Sequence, residues 1–109
     1  MSKFFVDKKD CSHHTIFAGV DIFTACGSSM MLSLVEFQPH AVVEEHSHPH
    51  EQMGWILEGQ VTFFIGGEEK TLGPGEAYRI PGGVKHRVVT LDRPAKVLDI
   101  FHPVREDYR

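Results

Sequence analysis

Residues 46–59 read HSHPHEQMGWILEG, and residues 75–86 read GEAYRIPGGVKH. His46 and His48 are two positions apart. Alternate side chains of a strand face one way, so these two share a face, and a third histidine from a neighbouring strand can close a metal site. Imidazoles suit first-row divalent ions such as zinc, nickel, iron and manganese, and the sequence does not choose among them. A lone H-x-H pair is more often a solvated surface feature than a site, because so short a pattern recurs freely. Here it is followed by a second segment, punctuated by glycine and proline and ending at His86.

Outward from these segments the chain reads as strand after strand. Val20–Cys26 and Met30–Phe37 are rich in β-branched, aromatic and aliphatic residues, with Gly27, Ser28 and Ser29 between them. Val42–His46 follows a break at Pro39. Met53–Glu58 and Gln60–Ile65 flank Gly59, and Gly66-Gly67 supplies the positive φ angles of a tight hairpin into Glu68–Leu72. Glu76–Ile80, His86–Leu91 and Ala95–His102 complete the set. No window sustains a helical period. Strands recurring every ~8–12 residues predict an all-β barrel or sandwich.

The two segments together resemble the two motifs of the cupin superfamily. In the first, His46, His48, Gln52 and Gly59 take the motif places, with Gln52 where cupins usually carry Glu. In the second, Gly75, Pro81, Gly83 and His86 take them, and Thr90 stands where the motif often ends in Asn. The stretch between Gly59 and Gly75 suits the single hairpin that joins the motifs in compact members. The resemblance implies a single-domain cupin, a small antiparallel β-barrel of the jelly-roll kind, holding one divalent transition metal (Zn, Ni, Mn or Fe) through His46, His48, Gln52 and His86. Glu51 would be the ligand if the register moved by one. Strand phase and the Gly59 spacing favour Gln52. Three imidazoles and an amide are all neutral, so the charge of an ion they held would stay uncancelled and would anchor a carboxylate or enolate well. His50 is open between a fifth ligand, a partner to a ligand and an exposed side chain. His13, His14 and His40 lie outside the motifs, and His102 could face either way.

Ala95–His102 reads AKVLDIFH, with Asp99 among apolar neighbours. A carboxylate there is costly unless paired, solvated in a cleft or used. An ion pair to Arg79 or Arg87 and a catalytic role are both open. Phe101 shares a face with Asp99. Arg105 either reaches the barrel mouth, where it could bind a carboxylate through two hydrogen bonds, or belongs to a solvated tail.

With 109 residues the chain suits one domain: a polar arm over 1–14 and a cupin barrel over 15–109. A formal charge of −4 argues against a nucleic-acid partner. Cys11 and Cys26 are too few and too far apart for a disulfide framework or a zinc ribbon. The charged N-terminus lacks the apolar core of a signal peptide, and no run approaches a membrane span, so the cytoplasm is the expected location.

The run HSHPHEQMGWILEG and the ending LDIFHPVREDY are also similar to the KdgF-type cupins of pectin and alginate degradation. His102 departs from that ending, which usually carries a small residue there. The likeness implies metal-dependent conversion of 4,5-unsaturated monouronates to linear ketonised sugars. It assigns Asp99 a catalytic role and places Phe101 against substrate. Arg105 or Lys85 could hold the substrate carboxylate. It also implies a small anionic sugar as partner and a homodimer. A metal-dependent dioxygenase and a non-catalytic sugar- or metal-binding cupin are the competing readings. Fold alone does not separate them.

Overall fold

The computed structural model describes residues 2–109. A 3₁₀ turn at Lys8–Asp10 leads into ten strands. They are β1 (Ser12–Phe17), β2 (Val20–Cys26), β3 (Met31–Phe37), β4 (Val42–His46), β5 (Glu51–Glu58), β6 (Val61–Ile65), β7 (Glu68–Leu72), β8 (Ala77–Ile80), β9 (His86–Thr90) and β10 (Ala95–His102). A second 3₁₀ turn, Glu106–Tyr108, ends the chain. The expected all-β architecture is present as a flattened jelly roll. One antiparallel sheet has the order β1-β2-β3-β10-β5-β8, and the other β4-β9-β6-β7. No helix among the described residues is long and apolar enough to cross a membrane.

The strand pattern read from the sequence holds closely from β2 to β10. Gly66 and Gly67 have φ of 56° and 87°, as the tight β6–β7 hairpin requires. The N-terminal arm is shorter than expected: β1 begins at Ser12 and pairs with β2. SHHTIF opens on polar residues at the edge of the sheet, where no residue of β1 is fully buried, so alternation does not mark it.

Alternation sets what lies between the sheets. In β2, β3 and β10 every second residue is buried, and in β5 the buried set is Gln52, Gly54 and Ile56. Registered strands line these residues up in rows. Ile22, Val35, Val97 and Ile56 form one apolar row across the larger sheet. They pack with Val43, Val61, Phe63 and Val88 of the smaller sheet into the main core. Removing this surface from water contributes about 25 cal/mol per Å², which drives the sheets together. Towards one end the core thins into a second cluster of Met31, Phe101 and Val104, with Tyr108 against it. The polar residues singled out above gather there.

Candidate functional site

His46 ends β4 and His86 begins β9, and the two are paired across that ladder. Strict alternation from the buried Val43 would turn His46 outward. The register shifts by one residue between Val43 and His46, and this bulge at Glu44-Glu45 re-aims the His46 ring. His48 lies beyond the end of β4, so strand phase does not orient it, contrary to the expectation from spacing. Its loop is held instead by the turn over Pro81, Gly82 and Gly83. Gly83 N–H donates to the His48 carbonyl at 2.8 Å. A Cβ on Gly82 would run into the Pro49 carbonyl, so only glycine lets the two backbones approach this closely.

The three rings converge. Donor atoms of His46, His48 and His86 all lie within 4.8 Å of one another. Nδ1 of His46 is 2.8 Å from the Glu44 carbonyl, Nδ1 of His48 is 3.0 Å from that of His50, and Nδ1 of His86 is 2.9 Å from that of Val84. A carbonyl can only accept, so each Nδ1 carries the proton and each Nε2 keeps its lone pair. This is how metal-binding histidines are oriented. Burial pushes the His48 and His86 pKa values down, that of His86 to about 4, which keeps the rings neutral. Nε2 of His86 is buried with no hydrogen-bond partner among the described residues. A lone pair left so is costly unless a ligand takes it. This donor set fits a divalent metal ion.

Gln52 is buried on β5, whereas Glu51 beside it is exposed. Its Oε1 lies 2.9 Å from Nε2 of His48. Two lone pairs facing each other repel, unless one cation accepts both. Donor atoms ~2.1 Å from a shared ion sit about 3.0 to 3.4 Å apart, close to the observed spacing. The amide orientation has an independent cause. Gln52 Nε2 donates to Tyr78 Oη at 3.1 Å and to Asp99 Oδ2 at 3.3 Å. Reversing the amide would set two oxygens against each other there.

Asp99 lies at the centre of β10, 7% exposed. It pairs with neither Arg79 nor Arg87, the partners weighed from the sequence. Arg79 is exposed and Arg87 stacks over Phe64. The carboxyl is held by Gln52 and by the hydroxyl of Tyr78, which donates to Oδ1. Burial raises its pKa to about 7, against the opposing pull of the Tyr78 and Gln52 hydrogen bonds and the Arg105 charge. Tyr78 was missed from sequence. Its signal was β8 alternation, in which Tyr78 and Ile80 are the buried pair next to Pro81.

Gly54 makes the Tyr78–Asp99 contact possible. A Cβ there would overlap both the Tyr78 ring and the Asp99 carboxyl. Gly54→Ala is therefore expected to destabilise the fold by about 3 kcal/mol, the upper part of the range for overpacking, as read from chemical denaturation. An unchanged midpoint would mean that the Tyr78 ring moves aside freely.

Phe101 is buried with its ring centroid 5.7 Å from that of His48. Arg105 is not part of a solvated tail: it is buried, with its guanidinium 3.8 Å from the Tyr108 ring centroid and 5.2 Å from that of Phe101. Asp107 accepts from its Nε at 3.3 Å and its Nη2 at 2.8 Å. His46, Gln52, His86, Asp99, Phe101 and Arg105 all line one pocket at this end of the molecule. Lys85 is exposed and lines a different surface depression. His50 is half-buried beside His48, and His13, His40 and His102 are exposed.

The cupin domain family matches residues 33–101. The pectin degradation protein KdgF of Dickeya dadantii is 31% identical over 80 residues, which cover 72% of this chain and 73% of that protein. The structure of KdgF from Halomonas sp. superimposes with a TM-score of 0.85 at 28% identity, covering 98% of each chain. An RmlC-like cupin from Shewanella frigidimarina superimposes at 0.89 with 25% identity, over 99% of this chain and 97% of that one. The histidine pair, the glycine–proline turn and the ten-strand frame thus have one explanation: the chain belongs to the cupin superfamily and, within it, to the KdgF-like group.

Proposed function

We propose that this protein opens and ketonises 4,5-unsaturated monouronates, the sugar acids released in pectin or alginate breakdown. The likeness to pectin degradation protein KdgF supports the substrate class. The observation that carries the reaction is the buried Asp99 carboxyl, held by Tyr78 and Gln52 in the pocket that His46, His86 and Arg105 also line.

The substrate ring is a hemiacetal that contains an enol ether conjugated to a carboxylate. Removing the anomeric hydroxyl proton forms the carbonyl as the ring C–O bond breaks, and leaves an enol at C5. A proton delivered to C4 gives the ketone, so the net change is an isomerisation. Asp99 is the group assigned to carry that proton, because it is the carboxyl among the residues that line the pocket and lies outside the histidine donor set. Tyr78 and Gln52 hold its two oxygens in place. Arg105 binds the substrate carboxylate, with its plane fixed by Tyr108 and Asp107. Phe101 forms a dry wall beside His48. His46, His48, Gln52 and His86 would hold one divalent ion, which when bound would stabilise negative charge developing on a substrate oxygen.

A homodimer belongs to the same proposal. Leu32, Met53, Trp55 and Ile100 form an exposed apolar strip on the outer face of the larger sheet, of the kind that oligomers cover.

The test is the ultraviolet absorbance of a 4,5-unsaturated monouronate mixed with metal-loaded protein. The conjugated double bond absorbs and the linear ketone does not. Absorbance is expected to fall faster than the spontaneous rate and to return to that rate with chelator. No acceleration with zinc, nickel, manganese or iron would overturn the proposal.

A further inference from the structure

Next to the apolar row across the larger sheet runs a polar one: Thr24, Ser33, Asp99, Gly54 and Tyr78 stand side by side on β2, β3, β10, β5 and β8. Thr24 Oγ1 donates to the Tyr108 carbonyl at 2.6 Å. Tyr78 and Asp99 satisfy each other. Ser33 is different. It is 1% exposed, and its Oγ has no hydrogen-bond partner among the described residues. It stands directly opposite Asp99 in the β3–β10 ladder and lines the same pocket as Asp99, His46 and Arg105. Buried hydroxyls in folded proteins nearly always find a partner, and one without a partner destabilises the fold. An alanine would occupy that place without the penalty. A serine there makes sense if its partner arrives with whatever fills the pocket.

We infer that Ser33 Oγ binds a ring hydroxyl of the sugar-acid substrate and so sets the reacting carbons against Asp99. The inference rests on the ketonisation reading above. The chemistry of the neighbours narrows the contact. The substrate's negative end suits Arg105, and both Asp99 oxygens are already engaged by Tyr78 and Gln52. Ser33 is a neutral group that can both donate and accept and, unlike the Tyr78 hydroxyl, has no partner of its own, which matches a neutral hydroxyl. A site built to bond a hydroxyl discriminates strongly against analogues that lack it. Ser33 therefore makes the pocket selective for hydroxylated substrates over their deoxy counterparts.

The test compares wild-type protein with Ser33→Ala and Ser33→Cys, the latter keeping the shape with a weaker hydrogen-bonding group. Without ligand, the thermal midpoint of Ser33→Ala is expected to equal or exceed that of wild type. Its KM for the unsaturated monouronate is expected to rise about tenfold, the worth of one hydrogen bond, with a smaller change in kcat and Ser33→Cys in between. An unchanged KM, or an unliganded Ser33→Ala that melts well below wild type, overturns the inference. If wild type shows no turnover at all, the ketonisation reading has failed by itself. Calorimetric binding of galacturonate to the same proteins then decides the role of Ser33. Weaker binding to Ser33→Ala supports it as a sugar-hydroxyl ligand. Equal binding, or none to either protein, overturns it.

Discussion

His86→Ala is expected to fold, yet to lose its divalent ion on dialysis. Affinity should fall on the order of a thousandfold when one of so few neutral donors is removed. Turnover should fall with it. The mutation removes the very atom, Nε2, that is buried without a partner, and the group that loses its own partner is the carbonyl of the half-buried Val84, so the metal-free variant should pay only a small penalty. Two measurements separate ligand loss from misfolding: metal per chain by elemental analysis after dialysis, and the thermal midpoint with and without chelator. In wild type the chelator should lower the midpoint, and in His86→Ala it should change nothing. A variant that kept its metal and its activity would remove His86 from the donor set.

Asp99→Asn is expected to lose about 10²–10⁴ in kcat, the range for losing a positioned acid–base group, while its metal content stays at the wild-type level. Asn keeps the shape and can still bond Tyr78 and Gln52, so a small loss would show that Asp99 orients rather than transfers. The same variant has a second readout in the metal-free protein. The folded pKa of Asp99 is raised to about 7, from an ordinary value of 3.8. The folded state therefore holds this proton more tightly than the unfolded state does. The contribution is fully present below the unfolded pKa and is lost as pH climbs towards the folded one. Asn does not titrate. The midpoint of Asp99→Asn relative to wild type should thus rise between about pH 4 and pH 7 and level off above. A difference that stayed constant across that window would mean the carboxyl ionises as easily inside as outside.

Much of this site was legible in the residues themselves. Glycine and proline mark turns through their own backbone limits, so the frame around His46 and His86 could be placed without coordinates. That Gln52 rather than Glu51 is buried follows from alternation within β5, not from a phase shared with His46 and His48, from which a loop separates it. What stayed hidden depended on departures from regularity or on contacts across strands. The β4 bulge turns His46 inward, and alternation does not announce a bulge. His48 joins the cluster through a loop clamped by Gly82 and Gly83, not through the strand spacing that suggested it. Tyr78 meets Asp99 only because Gly54, between them, has no side chain. Ser33 is an ordinary strand serine until the ladder sets it opposite Asp99. Arg105 lies near the C-terminus, where charged residues are usually solvated. Its burial follows from aromatic stacking with Tyr108, which sequence spacing does not encode.

The histidine donors and Gln52 sit on different mechanical parts. His46 and His86 belong to the smaller sheet, Gln52 to the larger one, and His48 to the loop between β4 and β5. An ion shared among them would rivet one wall of the jelly roll to the other at a single end. Parting the sheets at that end would first require the rivet to leave. The persistence time of the metal-loaded protein against proteases would then follow the rate of ion release rather than the rate at which the metal-free chain opens, and the opposite end, joined by apolar contacts and by the hydrogen bond from Thr90 Oγ1 to the Gln38 carbonyl, would be the first to gape.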